Sequence, residues 1–232
     1  MRIIALDAST QMCTVALGDG STWHQRSERA GQRHSELLLP MVHALLAQER
    51  LTLADLGGVA FGAGPGSFTG LRIACGVAQG LALGAGLLVV GVSTLEAMAE
   101  TARVSHGAVK VIATLDARMG EVYIAAYEYR TDRWQVVSEP QALEPTDVPV
   151  PEVGGWTGVG AGFAAYPELA ARLGPALSAC LEHVTPEAAA IGALALPRFA
   201  AGDAVLPRQA TPLYVRQRVA LTAAERAAGQ RL

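Results

Sequence analysis

The chain has 232 residues, 51% of them apolar and 17% charged, with a net charge of -3. That length suits one large domain or two small ones, and the near-neutral balance lacks the basic excess of a stand-alone nucleic-acid binder. Lys110 is the one lysine among 18 cationic residues, so chemistry that needs a mobile lysine has a single candidate.

The N-terminus enters an apolar strand pattern at once, IIALDAS over 3–9, so no signal peptide is predicted and the expected location is cytoplasmic. Cys13, Cys75 and Cys180 lie too far apart for metal-ligand spacing and read as small buried residues of a reducing compartment. The strand ends in Asp7, a polar turn follows, and Cys13–Leu17 (CTVAL) forms the second arm of a hairpin. A helix is predicted over 35–50, with Leu38, Met41, Val42, Leu45 and Leu46 on one side at i, i+3, i+4 spacing. Pro40 lies near its first turns, where a missing N–H costs least, or else bends it.

Next comes Phe61–Ala82, FGAGPGSFTGLRIACGVAQGLA, a glycine loop opening a second helix that Ser67 or Thr69 would cap. The loop departs from the strict phosphate-loop pattern because Leu71-Arg72 follow Gly70 where Lys-Ser/Thr is required. It departs from G-x-G-x-x-G because position 69 is threonine. Two readings stay open: backbone N–H groups at the helix start holding an anion, or a tight strand-to-helix turn that excludes Cβ. Gly76, Gly80 and Gly84 recur every four residues along the helix, beside Ala74 and Ala78. Glycine inside a helix costs about 1 kcal/mol relative to alanine, so the stripe points to a close backbone approach, from this chain's own sheet or from another subunit. Residues 73–92 are long and apolar enough to span a bilayer, but the break at 84–86 and the β-branched run after it favour a buried helix followed by a buried strand.

The second part of the chain echoes the first. Val111–Arg118 (VIATLDAR) repeats the Leu-Asp-Ala kernel, with Asp116 in the place of Asp7, and leads through Met119-Gly120 into the alternating strand EVYIAAYEY. WTGVGAGFAA (156–165) repeats the Gly-x-Gly-x-Gly spacing of VAFGAGPGSF (59–68). A duplicated α/β unit follows, with its seam near 100–106. The first half is 1–103, the second 104–210, and a C-terminal helix or tail occupies 211–232. The proline-rich stretch 140–151 reads as loops inside the second half. From Arg198 onward six arginines face Asp203 and Glu225, a local charge of +4, which is either a solvated helix face or a contact for nucleic-acid phosphates.

Asp7 and Asp116 end buried strands, where a carboxylate either holds Mg²⁺ or forms a turn. The five histidines make no metal set: His34 and His43 are nine residues apart and fall on opposite helix faces. No serine stands in G-x-S-x-G and no His-Glu-x-x-His occurs, so hydrolase or peptidase chemistry has no support.

Hairpin aspartate, glycine loop and duplication together resemble the actin/hexokinase/sugar-kinase architecture: an α/β fold of two ribonuclease-H-like halves, each a mixed sheet flanked by helices. More narrowly, IIALDASTQMCTVAL, RHSELLLPMVHALL, GAGPGSFTGLRIACGVAQGLA, VSTLEAMA, LDARMGEVYIAAY and PLYVR cover nearly the whole chain in order and resemble the TsaB (YeaZ) family. Its members are partner subunits in making threonylcarbamoyladenosine on tRNA. The resemblance implies no catalytic residues and no metal in this chain. It implies a TsaD-type catalytic partner, a TsaE-type ATPase that joins them, a homodimer in the partner's absence, contact with tRNA only through the complex, and no membrane. The partner surface it implies comprises His34, Glu36, Leu38, Leu39, Val42, Leu45 and Leu46 on the first helix and Gly76, Ala78, Gly80 and Leu83 on the second. No cofactor is required; ATP or ADP at the subunit joint stays open, with Asp7, Ser9, Gly64, Gly66 and Ser67 as candidate residues for a residual nucleotide site. The alternative function is a small-molecule kinase or ATPase of the same fold using Asp7 or Asp116 on Mg²⁺.

Overall fold

A computed structural model describes residues 1–216. The first half runs β1 (Ile3–Asp7), β2 (Met12–Gly18), β3 (Trp23–Arg29), α1 (His34–Gln48), β4 (Gly58–Gly64), α2 (Phe68–Ala85), β5 (Val89–Ser93) and α3 (Thr94–His106). The second runs β6 (Lys110–Arg118), β7 (Glu121–Arg130), β8 (Arg133–Leu143), β9 (Trp156–Val159), α4 (Ala161–Ala165), α5 (Pro167–Leu173), β10 (Leu177–Leu181) and α6 (Ala188–Ala201).

The duplication is plain in the topology. One sheet is ordered β3-β2-β1-β4-β5 and the other β8-β7-β6-β9-β10. In each, the first three strands form an antiparallel meander and the first, fourth and fifth are parallel neighbours. The chain is therefore an α/β fold of two ribonuclease-H-like halves with mixed sheets flanked by helices. Strand β1 shows why a buried sheet reads as a continuous apolar run: Ile4 and Leu6 face α1 and α2, while Ile3 and Ala5 face α6.

The two last helices are exchanged between the halves. Leu95, Met98, Ala99 and Ala102 of α3 pack with Val111, Ala113 and Tyr127 of the second sheet. Ala188, Ile191 and Ala195 of α6 pack with Ile3, Ala16 and Ala60 of the first. Arg198 on α6 reaches Glu96 on α3 at 2.5 Å. The layers are α1 and α2, first sheet, α6 with α3, second sheet, then α4 and α5. The cores thus cut across the boundaries 1–103 and 104–210: the seam expected at 100–106 is the end of α3, closed by Gly107 in the left-handed conformation.

Three further details differ from the sequence reading. Strand β8 extends through Pro140 to Leu143, so the proline-rich segment begins inside an edge strand, where proline is tolerated. Cys180 is exposed on edge strand β10, whereas Cys13 and Cys75 are buried. Of the arginines expected to form a basic C-terminal end, Arg198 and Arg216 are ion-paired with Glu96 and Glu121, and 217–232 lie outside the described residues. The apolar segment 73–92 divides as expected into the end of α2 and strand β5. Among the described residues α2 is the helix long and apolar enough to cross a membrane, yet Leu71, Ala74, Ala78 and Ala82 on one side are buried in this fold.

Candidate functional site

The glycine loop after β4 is closed by the chain itself. A Cβ on Gly70 would collide with the carbonyl oxygen of Ala8, one on Gly66 with the carbonyl of Ser9, and one on Gly62 with Oδ2 of Asp7. The Ser67 amide donates to the Ser9 carbonyl at 2.7 Å, locking the loop onto the turn after β1. The Ser67 hydroxyl caps α2 by accepting from the Gly70 amide at 3.3 Å. Gly64 has φ +121°, and the absence of its Cβ leaves room for the Leu213 carbonyl. Loop and turn interlock, and the tight-turn reading explains every one of these glycines.

Asp7 and Ser9 are buried and turned to each other. The amide and hydroxyl of Ser9 donate to Asp7 Oδ1 at 3.0 and 2.8 Å. Asp7 Oδ2 has no hydrogen-bond partner among the described residues and lies against Gly62. Burial pushes the Asp7 carboxyl up to about 7, against the pull of the two Ser9 bonds. Asp116 has a different setting. Its Oδ1 accepts from the Arg118 amide at 2.7 Å and from the Tyr166 hydroxyl at 3.0 Å, and its Oδ2 pairs with the Arg118 guanidinium.

The candidate nucleotide residues therefore do not form a cradle. Asp7, Ser9 and Gly64 are buried, Gly66 is pressed onto Ser9, and Ser67 spends its hydroxyl on the cap. Within this chain these residues close the loop onto the turn after β1. Among the described residues no cluster of three or more His, Cys, Asp or Glu side chains is placed to hold a metal ion.

Helices α1 and α2 lie side by side on the outer face of the first sheet. Five of the α1 residues expected at a partner surface point inward instead. Leu38, Val42, Leu45 and Leu46 belong to the core with Leu6, Val15 and Phe61, and His34 is buried with Nε2 2.9 Å from the Thr10 carbonyl oxygen. Ala78 on α2 is buried as well. The physical reason is simple: the apolar stripe of an amphipathic helix is claimed first by its own sheet. Glu36 and Leu39 do face outward, joined by His43 and Ala47, which the search for apolar periodicity passed over. Helix α1 continues through Pro40, and the Glu36 carbonyl that Pro40 cannot bond is on this exposed side.

On α2 the outward stripe is Arg72, Gly76, Gly80 and Gly84 with Leu83, whose exposure is 76%. A Cβ on any of the three glycines would meet open space. Packing on the chain's own sheet does not explain them. At the start of the stripe the Arg72 guanidinium sits 3.8 Å over the Phe68 ring, and its Nε donates to the Tyr214 hydroxyl at 3.1 Å. Arg216 pairs with Glu121, so the terminal segment ties α2 to the second half's hairpin. GSFTGLR, LDARMGEVY and PLYVR, remote in sequence, thus meet at one end of the face.

Residues 25–158 match the family described as TsaD: tRNA N6-adenosine threonylcarbamoyltransferase. The chain is 41% identical to the tRNA threonylcarbamoyladenosine biosynthesis protein TsaB of Escherichia coli K12, over 95% of this chain and 96% of that one. It is 40% identical to the protein of the same description from Haemophilus influenzae, over 62% of this chain and 65% of that one. Among solved structures, YeaZ from Pseudomonas aeruginosa superposes with a TM-score of 0.84 at 35% identity, covering 92% of this chain and 99% of that one.

Proposed function

The chain belongs to the TsaB (YeaZ) family, and on that footing we propose that it is a non-catalytic assembly subunit in threonylcarbamoyladenosine formation on tRNA. Its outward α1–α2 face pairs with the TsaD-type chain that performs the transfer, a TsaE-type ATPase joins the pair, and two copies pair with each other when the partner is absent. One observation carries this reading: Gly76, Gly80 and Gly84 stand in the interior of an 18-residue helix with nothing beside them among the described residues. Each costs about 1 kcal/mol relative to alanine, and no packing among the described residues requires them. A second helix backbone approaching closely would use all three, with Leu83 and Leu39 supplying apolar contact at its margins.

The test is reconstitution with purified TsaD-type and TsaE-type chains on unmodified tRNA. The chain alone forms no modified adenosine, and the catalytic chain needs it. Gly80→Leu removes that support while the variant's circular dichroism spectrum and cooperative unfolding show that it stays folded. Full support from Gly80→Leu would overturn the docking face, and turnover by the isolated chain would overturn the non-catalytic role.

A further inference from the structure

The outer face of the second sheet is covered differently from its counterpart. In the first half the chain passes from β3 to β4 through α1, which buries five apolar side chains beside His34. At the matching place, between β8 and β9, residues 144–155 (EPTDVPVPEVGG) form neither helix nor strand. Helices α4 and α5, of five and seven residues, cover the outer face with Phe163, Leu169 and Leu173. Over β7 a cavity of about 310 Å³ remains, with Ile112, Ile124, Ala126, Trp156 and Leu173 among its walls and Val148 in its roof. Two register shifts in the β7–β8 pairing, one on each side of Ala126, put extra residues into β8, which stays paired on both sides of them.

We propose that this cavity binds a small, uncharged, largely apolar molecule the size of an aromatic ring system, with one hydrogen-bonding group. The volume is at the lower end of small-molecule sites; it admits a ring system and is too small for a partner's helix. No charged residue lines it among the described residues, so an ionic ligand would lose its hydration with nothing to pair against. The polar side chains in its lining that bond each other are Gln141 and Ser138: Gln141 Nε2 donates to Ser138 Oγ at 3.1 Å, which leaves the second amide proton and the amide oxygen for a ligand. Pro149 and Pro151 stiffen the roof, so the space is held open without a ligand to shape it. The rim is apolar too: Val137 is 55% exposed. This site is separate from the α1–α2 face and does not depend on its role.

Indole is the probe, added to the full-length chain while its melting temperature and the methyl signals of Ile112, Ile124 and Ala126 are followed. Saturable binding with one site per chain, shifts confined to those methyls and a raised melting temperature are expected. Val137→Phe, which blocks the mouth from an exposed position, and Ala126→Leu, which fills the floor, each weaken binding about tenfold or more. Gln141→Leu weakens indole and leaves toluene unaffected. Absence of saturation up to the solubility of indole, shifts located elsewhere, or unchanged affinity in both blocking variants would overturn the proposal.

Discussion

In the first half two helices of 15 and 18 residues cover the outer face of the sheet; in the second, helices of five and seven residues and a proline-rich loop cover the same face. The strands beneath are wired identically. The long helices bury one stripe completely and leave a second, bare stripe outside, which suits a partner. The short helices leave a hole inside, which suits a small molecule. One plan used twice has therefore diverged in its covering rather than in its sheet. The core can hold either half together as long as β1 and β6 stay seated on their glycine loops.

That shared device gives the largest expected effect. A Cβ on Gly70 meets the Ala8 carbonyl, and one on Gly160 meets the Thr114 carbonyl in the second half. Backbone cannot yield as a side-chain end can, and Gly160 is further strained by φ +99°. Gly70→Ala and Gly160→Ala should each cost more than about 3 kcal/mol in denaturant unfolding, or prevent folding. Tolerance of either would break the equivalence of the loops.

The aspartates separate the halves at the next level. Below about pH 4 both folded and unfolded chains keep the Asp7 proton, and between pH 4 and 7 the folded chain alone keeps it. Stability from this group therefore falls as pH rises through that interval and levels off above pH 7, by on the order of 4 kcal/mol in all. Asp7→Asn should remove this slope, stabilising the chain at pH 8 and changing little at pH 4. Asp116→Asn, at a partly exposed hairpin pair, should move stability by less than about 1 kcal/mol. Equal effects at the two positions would contradict the difference in burial.

Smaller effects are expected on the bare stripe. Gly80→Ala, with open space beside it, should stabilise the isolated chain by about 0.5–1 kcal/mol. Glu121→Gln, breaking the pair with Arg216, should cost under about 1 kcal/mol in thermal unfolding.

Much of this was legible in the sequence. The twin Leu-Asp-Ala hairpins and twin glycine loops announced the duplication because short turns depend on local chemistry. Strands β3, β8 and β10 were not visible: WHQRSER and RWQVVSEPQAL are polar edge strands whose pairing, rather than any apolar pattern, defines them. The exchange of α3 and α6 was also hidden, because periodicity shows that a helix has an apolar face without saying which sheet receives it. Leu38, Val42, Leu45 and Leu46, which the resemblance places at a partner surface, are core residues of this chain. For Gly76 and Gly80 the spacing left two packings open, against the chain's own sheet or against another subunit, and the structure turns both glycines away from the sheet.

The most direct test is an absolute mass measurement by sedimentation on the chain alone and mixed with a TsaD-type chain, for wild type and Gly80→Leu. The expected result is a wild-type chain that pairs, with itself and in preference with the partner, and a folded Gly80→Leu variant that stays monomeric in both settings. A Gly80→Leu chain that pairs as the wild type does would show that the bare stripe on α2 is not where this protein meets another.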